Sequence, residues 1–203
     1  VVVNCVGILS ERGKNKFNLV QNHGAARIAR LAAAEGVARL VHISAIGADE
    51  ESDSLYSQSK AQGEQAVLSH MPQSVILRPS VVFGPEDAFF NRFAAMTRLG
   101  PILPVVGADT KFQPVYVDNV AEAAAMGVEG TATPGIYELG GPDVNSFRDL
   151  MQEMLGVISR RRLIVNIPFW LASVMATGME AVQFLTGGLV KAQITRDQVH
   201  SLR

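Results

Sequence analysis

Residues 1–6 form an almost continuous apolar run, Val-Val-Val-Asn-Cys-Val, closed by Gly7. That pattern predicts a strand buried on both faces. Residues 17–35 then switch to helical spacing. Phe17, Val20, Ile28 and Leu31 share one face, and Gly36 sits where a helix end favours glycine. Residues 39–43 predict a second strand, ending at Ser44. Residues 54–69 predict a helix stopped before Pro72, and residues 74–78 a third strand ended by Pro79. Strand, long helix, strand, helix, strand is the order of parallel βαβ units, because a helical crossover returns the chain in the same direction.

Beyond residue 85 the pattern loosens. Residues 88–99 predict a helix and residues 112–117 a strand. Asp118 is expected to cap an alanine-rich helix running to about residue 130. Residues 136–139 predict a short strand. Ser146 is expected to cap a helix to about residue 155, with Asp149 in its first turn, where acidic groups suit the helix dipole. Residues 163–165 are apolar, and Pro168 opens a last apolar helix to about residue 185. Residues 163–179 carry no charge. They include Asn166, Pro168, Ser173 and Thr177, and Glu180 follows. A span needs about 20 mainly apolar residues, so this reads as a buried or interfacial helix.

Composition narrows the classes. Apolar residues are 48%, which argues against disorder. With 18 Lys+Arg against 19 Asp+Glu the net charge is -1, so no general nucleic-acid footprint is expected. One cysteine, Cys5, excludes an intrachain disulfide and a cysteine zinc cage. In an apolar strand it reads as inert. The four histidines lack metal spacing and read as structural or surface groups. The chain starts in a core-like strand with neither Met nor a secretory pattern. It therefore reads as a fragment, with the first half of the sheet upstream.

The residues that bear on chemistry gather at predicted strand ends, where ligands bind in such sheets. Tyr56 and Lys60 stand at i and i+4, on one helix face. An ammonium beside a phenol favours the phenolate and would lower the Tyr56 pKa from about 10. Such a Tyr can give or take a proton near neutral pH. Ser44 can hydrogen-bond the same substrate oxygen, and Lys60 can hold a ribose hydroxyl. An ordinary surface Tyr/Lys contact has the same spacing.

Four motifs run in one order: Val41-His42-Ile43-Ser44-Ala45, Tyr56-Ser57-Gln58-Ser59-Lys60, Leu77-Arg78-Pro79-Ser80-Val81-Val82-Phe83-Gly84-Pro85, and Pro114-Val115-Tyr116-Val117-Asp118-Asn119-Val120-Ala121. Together they resemble the extended, atypical branch of the short-chain dehydrogenase/reductase superfamily. The resemblance implies an α/β fold: a Rossmann-like doubly wound parallel sheet, its N-terminal part missing, with a smaller irregular C-terminal α/β cap. Residues 1–85 would be the C-terminal half of a dinucleotide-binding domain. Residues 86–203 would be a cap, a substrate or docking region, partly contributing to the sheet. The catalytic group implied is Ser44, Tyr56 and Lys60, with Asn22 of Asn22-His23-Gly24 completing a proton relay. The cofactor, NADP or NAD, would be held by Asn4, Gly7, Ser44, Tyr56, Lys60, Pro79, Ser80 and Val81. The residues themselves also allow a plain tight turn at Gly7 and a proline-stopped strand at Pro79.

Ser44-Ala45-Ile46-Gly47-Ala48-Asp49, Tyr137-Glu138-Leu139-Gly140-Gly141-Pro142 and Ile194-Thr195-Arg196-Asp197-Gln198-Val199 resemble more closely the nucleotide-binding accessory subunits of respiratory complex I and their bacterial relatives. That resemblance implies a bound dinucleotide, membrane-bound respiratory partners, and a place on the cytoplasmic face of the bacterial inner membrane or the mitochondrial matrix side. The active oxidoreductase or epimerase and the nucleotide-ratio sensor stay open beside it. Gly-x-x-Gly-x-x-Gly, the usual phosphate loop, does not occur, so weak dinucleotide binding is expected of this stretch alone. Arg160, Arg161 and Arg162, next to the helix over residues 169–185 from Phe169 to Leu185, are candidates for a membrane-surface or partner contact.

Overall fold

The computed structural model describes residues 1–172 together with Val174 and Thr177. In chain order the first elements are β1 (Val2–Asn4), α1 (Gly24–Ala34), β2 (Leu40–Ile43), α2 (Leu55–His70), β3 (Val75–Pro79) and β4 (Val82–Phe83). Then come α3 (Phe90–Met96), β5 (Ile102–Val106), β6 (Lys111–Phe112), β7 (Val115–Tyr116), α4 (Val117–Glu129), β8 (Gly135–Leu139), β9 (Asn145–Ser146), α5 (Phe147–Val157) and β10 (Leu163–Ile167). These form two compact units, residues 1–82 with 114–142, and residues 83–113 with 143–203.

The first unit is built on a four-stranded parallel sheet ordered β1-β2-β3-β8. Alternate residues of each strand face opposite sides. Leu40 and Val2 pack against Ala25, Ala29, Ala32 and Val67 of α1 and α2. Val41, Val75 and Leu77 pack against Ala123, Ala124 and Val128 of α4. Helices thus cover both faces, which is the Rossmann-like doubly wound arrangement. Strand β8 completes this sheet beside β3.

Small residues let the layers approach. A Cβ on Gly127 of α4 would stand 2.7 Å from Val41 Cγ2. One on Gly63 of α2 would stand 2.4 Å from the Gln21 carbonyl oxygen.

Several expectations change in detail. The first strand is three residues long, and Val1, Val3 and Val6 are exposed, because β1 is an edge of the sheet. Cys5 lies beyond it and is exposed, not buried in a strand. The expected helix over residues 17–35 begins as a π-helical segment, Asn18–His23, before α1. Asp118 is in the first turn of α4 but does not cap it; Tyr116 holds that position. The expected strand over residues 112–117 is split into β6 and β7.

In the second unit β5 and β10 pair in parallel, and β6 and β9 antiparallel. Leu103 and Val105 join Phe147, Leu150, Met151 and Met154 of α5 in its core. Ser146 and Asp149 exchange backbone-to-side-chain hydrogen bonds of 3.2 Å each way, a complete capping box on α5. The helix expected over residues 169–185 lies mostly outside the described residues, as does the Ile194-Thr195-Arg196-Asp197-Gln198-Val199 segment.

Candidate functional site

Ser54 starts α2 by accepting a hydrogen bond from the Ser57 N–H, and this sets the face on which Tyr56 and Lys60 stand. From this helix the Lys60 side chain reaches the last residue of β2. Lys60 is buried, 6% exposed, and donates to the Ile43 carbonyl at 3.1 Å. A Cβ on Gly7 would lie 3.4 Å from Lys60 Nζ, so the turn after β1 passes beside the ammonium. Lys60 and Tyr56 are neighbours, with Nζ 6.0 Å from the ring centroid. Phe17 packs edge-on against the Tyr56 ring at 5.8 Å.

This arrangement reverses one expectation. The Tyr56 pKa is not lowered; burial pushes it up to about 12. The ammonium is turned to the Ile43 carbonyl and overhangs the ring instead of supporting a phenolate. Burial lowers the Lys60 pKa, while nearby Glu64 and, less strongly, Cys5 act to raise it.

Ser44 is also buried, 4% exposed. Its backbone N–H donates to Leu77 at 2.7 Å, and its hydroxyl donates to the Glu64 carboxylate in a short hydrogen bond. Glu64 is held from the other side by Arg78, through Nε at 2.9 Å and Nη2 at 2.7 Å. Sequence reasoning passed over Glu64 and Arg78. The signal that could find Glu64 is its place four residues after Lys60, on the same helix face.

Asn4 is 3% exposed. Its Oδ1 accepts from the Val6 N–H at 3.1 Å and its Nδ2 bonds His42 Nδ1 at 3.0 Å. It therefore shapes the turn leading to Gly7. Asn22 donates to Asn18 at 2.8 Å and to Gln62 of α2 at 3.3 Å. Its neighbour Gln21 is the buried one, donating to Ile8 at 2.7 Å and accepting from Ser59 at 3.5 Å. Pro79 closes β3. Its carbonyl accepts from Ile46, the Ser80 N–H donates to Leu139 at 2.8 Å, and the Val81 carbonyl accepts from Val115.

The donor set suits a nicotinamide dinucleotide. A buried ammonium that donates to the Ile43 carbonyl, the Tyr56 ring beside it and the glycine turn after β1 lie together at parallel strand ends, where dinucleotides are bound in such sheets. Among the described residues no group of three His, Cys, Asp or Glu could hold a metal.

Residues 9–168 match the family model described as the RmlD substrate binding domain. The chain is 36% identical over 180 residues to the mitochondrial NADH dehydrogenase [ubiquinone] 1 alpha subcomplex subunit 9 of Arabidopsis thaliana, covering 87% of this chain and 45% of that protein. It is 30% identical to the ceramide reductase of Caulobacter vibrioides, covering 83% and 53%. The chain thus spans about half the length of the curated relatives it matches. Among solved structures it resembles the dTDP-4-dehydrorhamnose reductase of Bacillus anthracis in complex with NADP. There the TM-score is 0.68 and the identity 19%, covering 82% of this chain and 65% of that one.

Proposed function

This chain belongs to the RmlD substrate binding domain family, and from that premise we propose that the protein holds NADP(H) or NAD(H) as an accessory or assembly subunit of the respiratory NADH:quinone oxidoreductase. The observation that carries this reading is the 36% identity, over 87% of the chain, to a subunit of that name. The site chemistry agrees with it. A Tyr56 hydroxyl that stays protonated to about 12, and a Ser44 proton given to Glu64, suit holding a ligand better than moving protons. A bound dinucleotide stabilises whatever it binds without turning over.

Lys60 and Tyr56 would take the nicotinamide ribose, the turn from Asn4 to Gly7 would pass along the cofactor, and Pro79, Ser80 and Val81 would line its nicotinamide side. When bound, the nicotinamide supplies a hydride acceptor or donor. The partner surface falls on the second unit, where Arg161, Leu163 and Trp170 are exposed. Its place is the matrix face of the mitochondrial membrane, or the cytoplasmic face in a bacterium. Among the described residues no helix is long and apolar enough to cross a membrane.

The test is purification of the intact protein from its host. Co-elution of NADP(H) or NAD(H) with respiratory subunits is the expected result. A protein free of nucleotide and of those subunits would overturn the reading.

A second reading, an NAD(P)-dependent reductase or epimerase, is favoured by the Tyr56/Lys60 pair and by the 30% identity to a ceramide reductase. There Tyr56 would be the acid and Lys60 its neighbour. Tyr56→Phe would then abolish carbonyl reduction and leave nucleotide affinity nearly intact. Wild-type protein showing no nucleotide-dependent reduction of ketone substrates removes that reading.

A further inference from the structure

Glu64 is 3% exposed and stands one helical turn beyond Lys60 on α2. One carboxylate oxygen takes the Arg78 Nε–H at 2.9 Å and the Ser44 hydroxyl; the other takes Arg78 Nη2 at 2.7 Å. Arg78 also faces Glu138, its register partner on β8, at 3.6 Å. Ser44 follows the last residue of β2 and Arg78 lies in β3, so a single carboxylate from α2 ties the ends of two central strands. A bidentate Arg–carboxylate pair is strong and directional. Burying it still costs desolvation, and apolar residues of similar volume often serve stability as well. Its distinctive product is position.

We propose that Glu64 is a positioning residue for Lys60: the Ser44–Glu64–Arg78 clamp fixes the turn of α2 that carries the ammonium against the ends of β1 and β2. The inference rests on the dinucleotide-binding reading for its consequence, and on the clamp geometry for itself. Two links connect Glu64 to Lys60. The first is geometric, since the two residues are four apart on one helix face. The second is electrostatic. Glu64 from α2, and after it Cys5 from the turn after β1, favour the charged ammonium against burial, while His42 of β2 faces the ammonium and is itself disfavoured by it as a cation. The same clamp makes Ser44 a strut. Its one hydroxyl proton is committed to Glu64, so a carbonyl ligand would have to compete with a buried carboxylate for it.

The experiment uses the intact protein and two readouts. Acylation of Lys60 by acetic anhydride at neutral pH, followed by mass spectrometry, reports the ammonium; NADPH affinity, by fluorescence titration, reports the site. Glu64→Gln keeps the shape and removes the charge. Glu64→Leu combined with Arg78→Leu removes both charges and leaves no buried unpaired charge, with the Ser44 hydroxyl the one polar partner released. For each we expect Lys60 to acylate severalfold faster, because less negative charge holds the proton on the amine, and NADPH affinity to fall by a similar factor. If the charge changes unfold the chain, Ser44→Ala, which loosens the same clamp by one hydrogen bond, is read instead, with smaller shifts in the same direction. Folded variants with wild-type acylation and wild-type affinity would overturn the proposal. Wild-type protein that binds no NADPH would sink the dinucleotide reading alone, and the acylation arm would still decide the role of Glu64.

Discussion

Asn4 and His42, neighbours in register on parallel strands β1 and β2, are hydrogen-bonded side chain to side chain at 3.0 Å in the buried interior. Asn4 Oδ1 is occupied by the Val6 N–H, so its amide nitrogen is the donor and His42 Nδ1 the acceptor. The neutral ring then carries its proton on Nε2, which has no hydrogen-bond partner among the described residues. Burial first, and Lys60 second, lower the His42 pKa to about 4.

That depression makes stability fall with acid. The unfolded chain takes up the proton near 6.5, the folded one near 4, so below 6.5 the unfolded state binds more protons and gains. The loss should begin below pH 6.5 and be complete near pH 4, amounting to about 3 kcal/mol. Urea melts between pH 4 and 7 should show it. His42→Gln, which cannot take up the proton, should flatten that limb. An unchanged slope would show that other groups carry the acid sensitivity.

Tyr56 acts at the opposite end of the scale. Its folded pKa of about 12 exceeds the ordinary 10.0, so the unfolded chain ionises first. Stability from this group is intact below pH 10 and is lost as pH rises towards 12. Ultraviolet titration of the phenols should show a late step that Tyr56→Phe removes. A Tyr56 step near 7 would instead restore the active phenolate that the sequence suggests.

Much of this fold is legible in the residues. The alternation of apolar runs with helical spacing gives β1, α1, β2, α2 and β3, and Ser54 and Ser146 mark helix starts through their own hydroxyls. What escaped is set by contacts distant in sequence. Strand β5 contains Pro104, which argues against a strand, and it forms because β10 pairs with it. The relay position was assigned to Asn22, but residues 18–23 are π-helical. The resemblance implies Asn22 as the relay residue, and periodicity does not show that within this segment Gln21 is the buried side chain. Ser44 stands at a strand end as expected. Its partner is a carboxylate 20 positions away, and no spacing within β2 announces that.

The close approaches give a sharper packing test. A methyl on Gly63 would meet the Gln21 backbone oxygen at 2.4 Å, and backbone cannot swing aside as a side chain can. Alanine gains about 1 kcal/mol of helix propensity over glycine, but overpacking costs about 1–3 kcal/mol or more. Gly63→Ala should therefore destabilise. Gly156, near the end of α5, has nothing within 4 Å, so Gly156→Ala should stabilise by about 0.5 kcal/mol. Equal thermal shifts for the two variants would mean that α2 does not approach the π-helical segment this closely.

The arginine cluster reads differently in three dimensions. Arg160 donates to the Ala94 carbonyl at 3.2 Å and to the Thr97 hydroxyl at 2.6 Å, and Arg162 donates to the Thr97 carbonyl at 2.8 Å. Both guanidinium groups thus serve the C-terminus of α3, where last-turn carbonyls lack helical partners and positive charge suits the dipole. Arg161 is exposed. The three should separate experimentally. Arg160→Met with Arg162→Met should lower the stability of the second unit by about 1–2 kcal/mol through the lost charge-assisted bonds. Arg161→Glu should leave stability within about 0.5 kcal/mol and weaken association with membranes or respiratory subunits in a pelleting assay. If Arg161→Glu pellets like the wild type while the methionine pair detaches without losing stability, the contact belongs to Arg160 and Arg162, and their hydrogen bonds to α3 must open to make it.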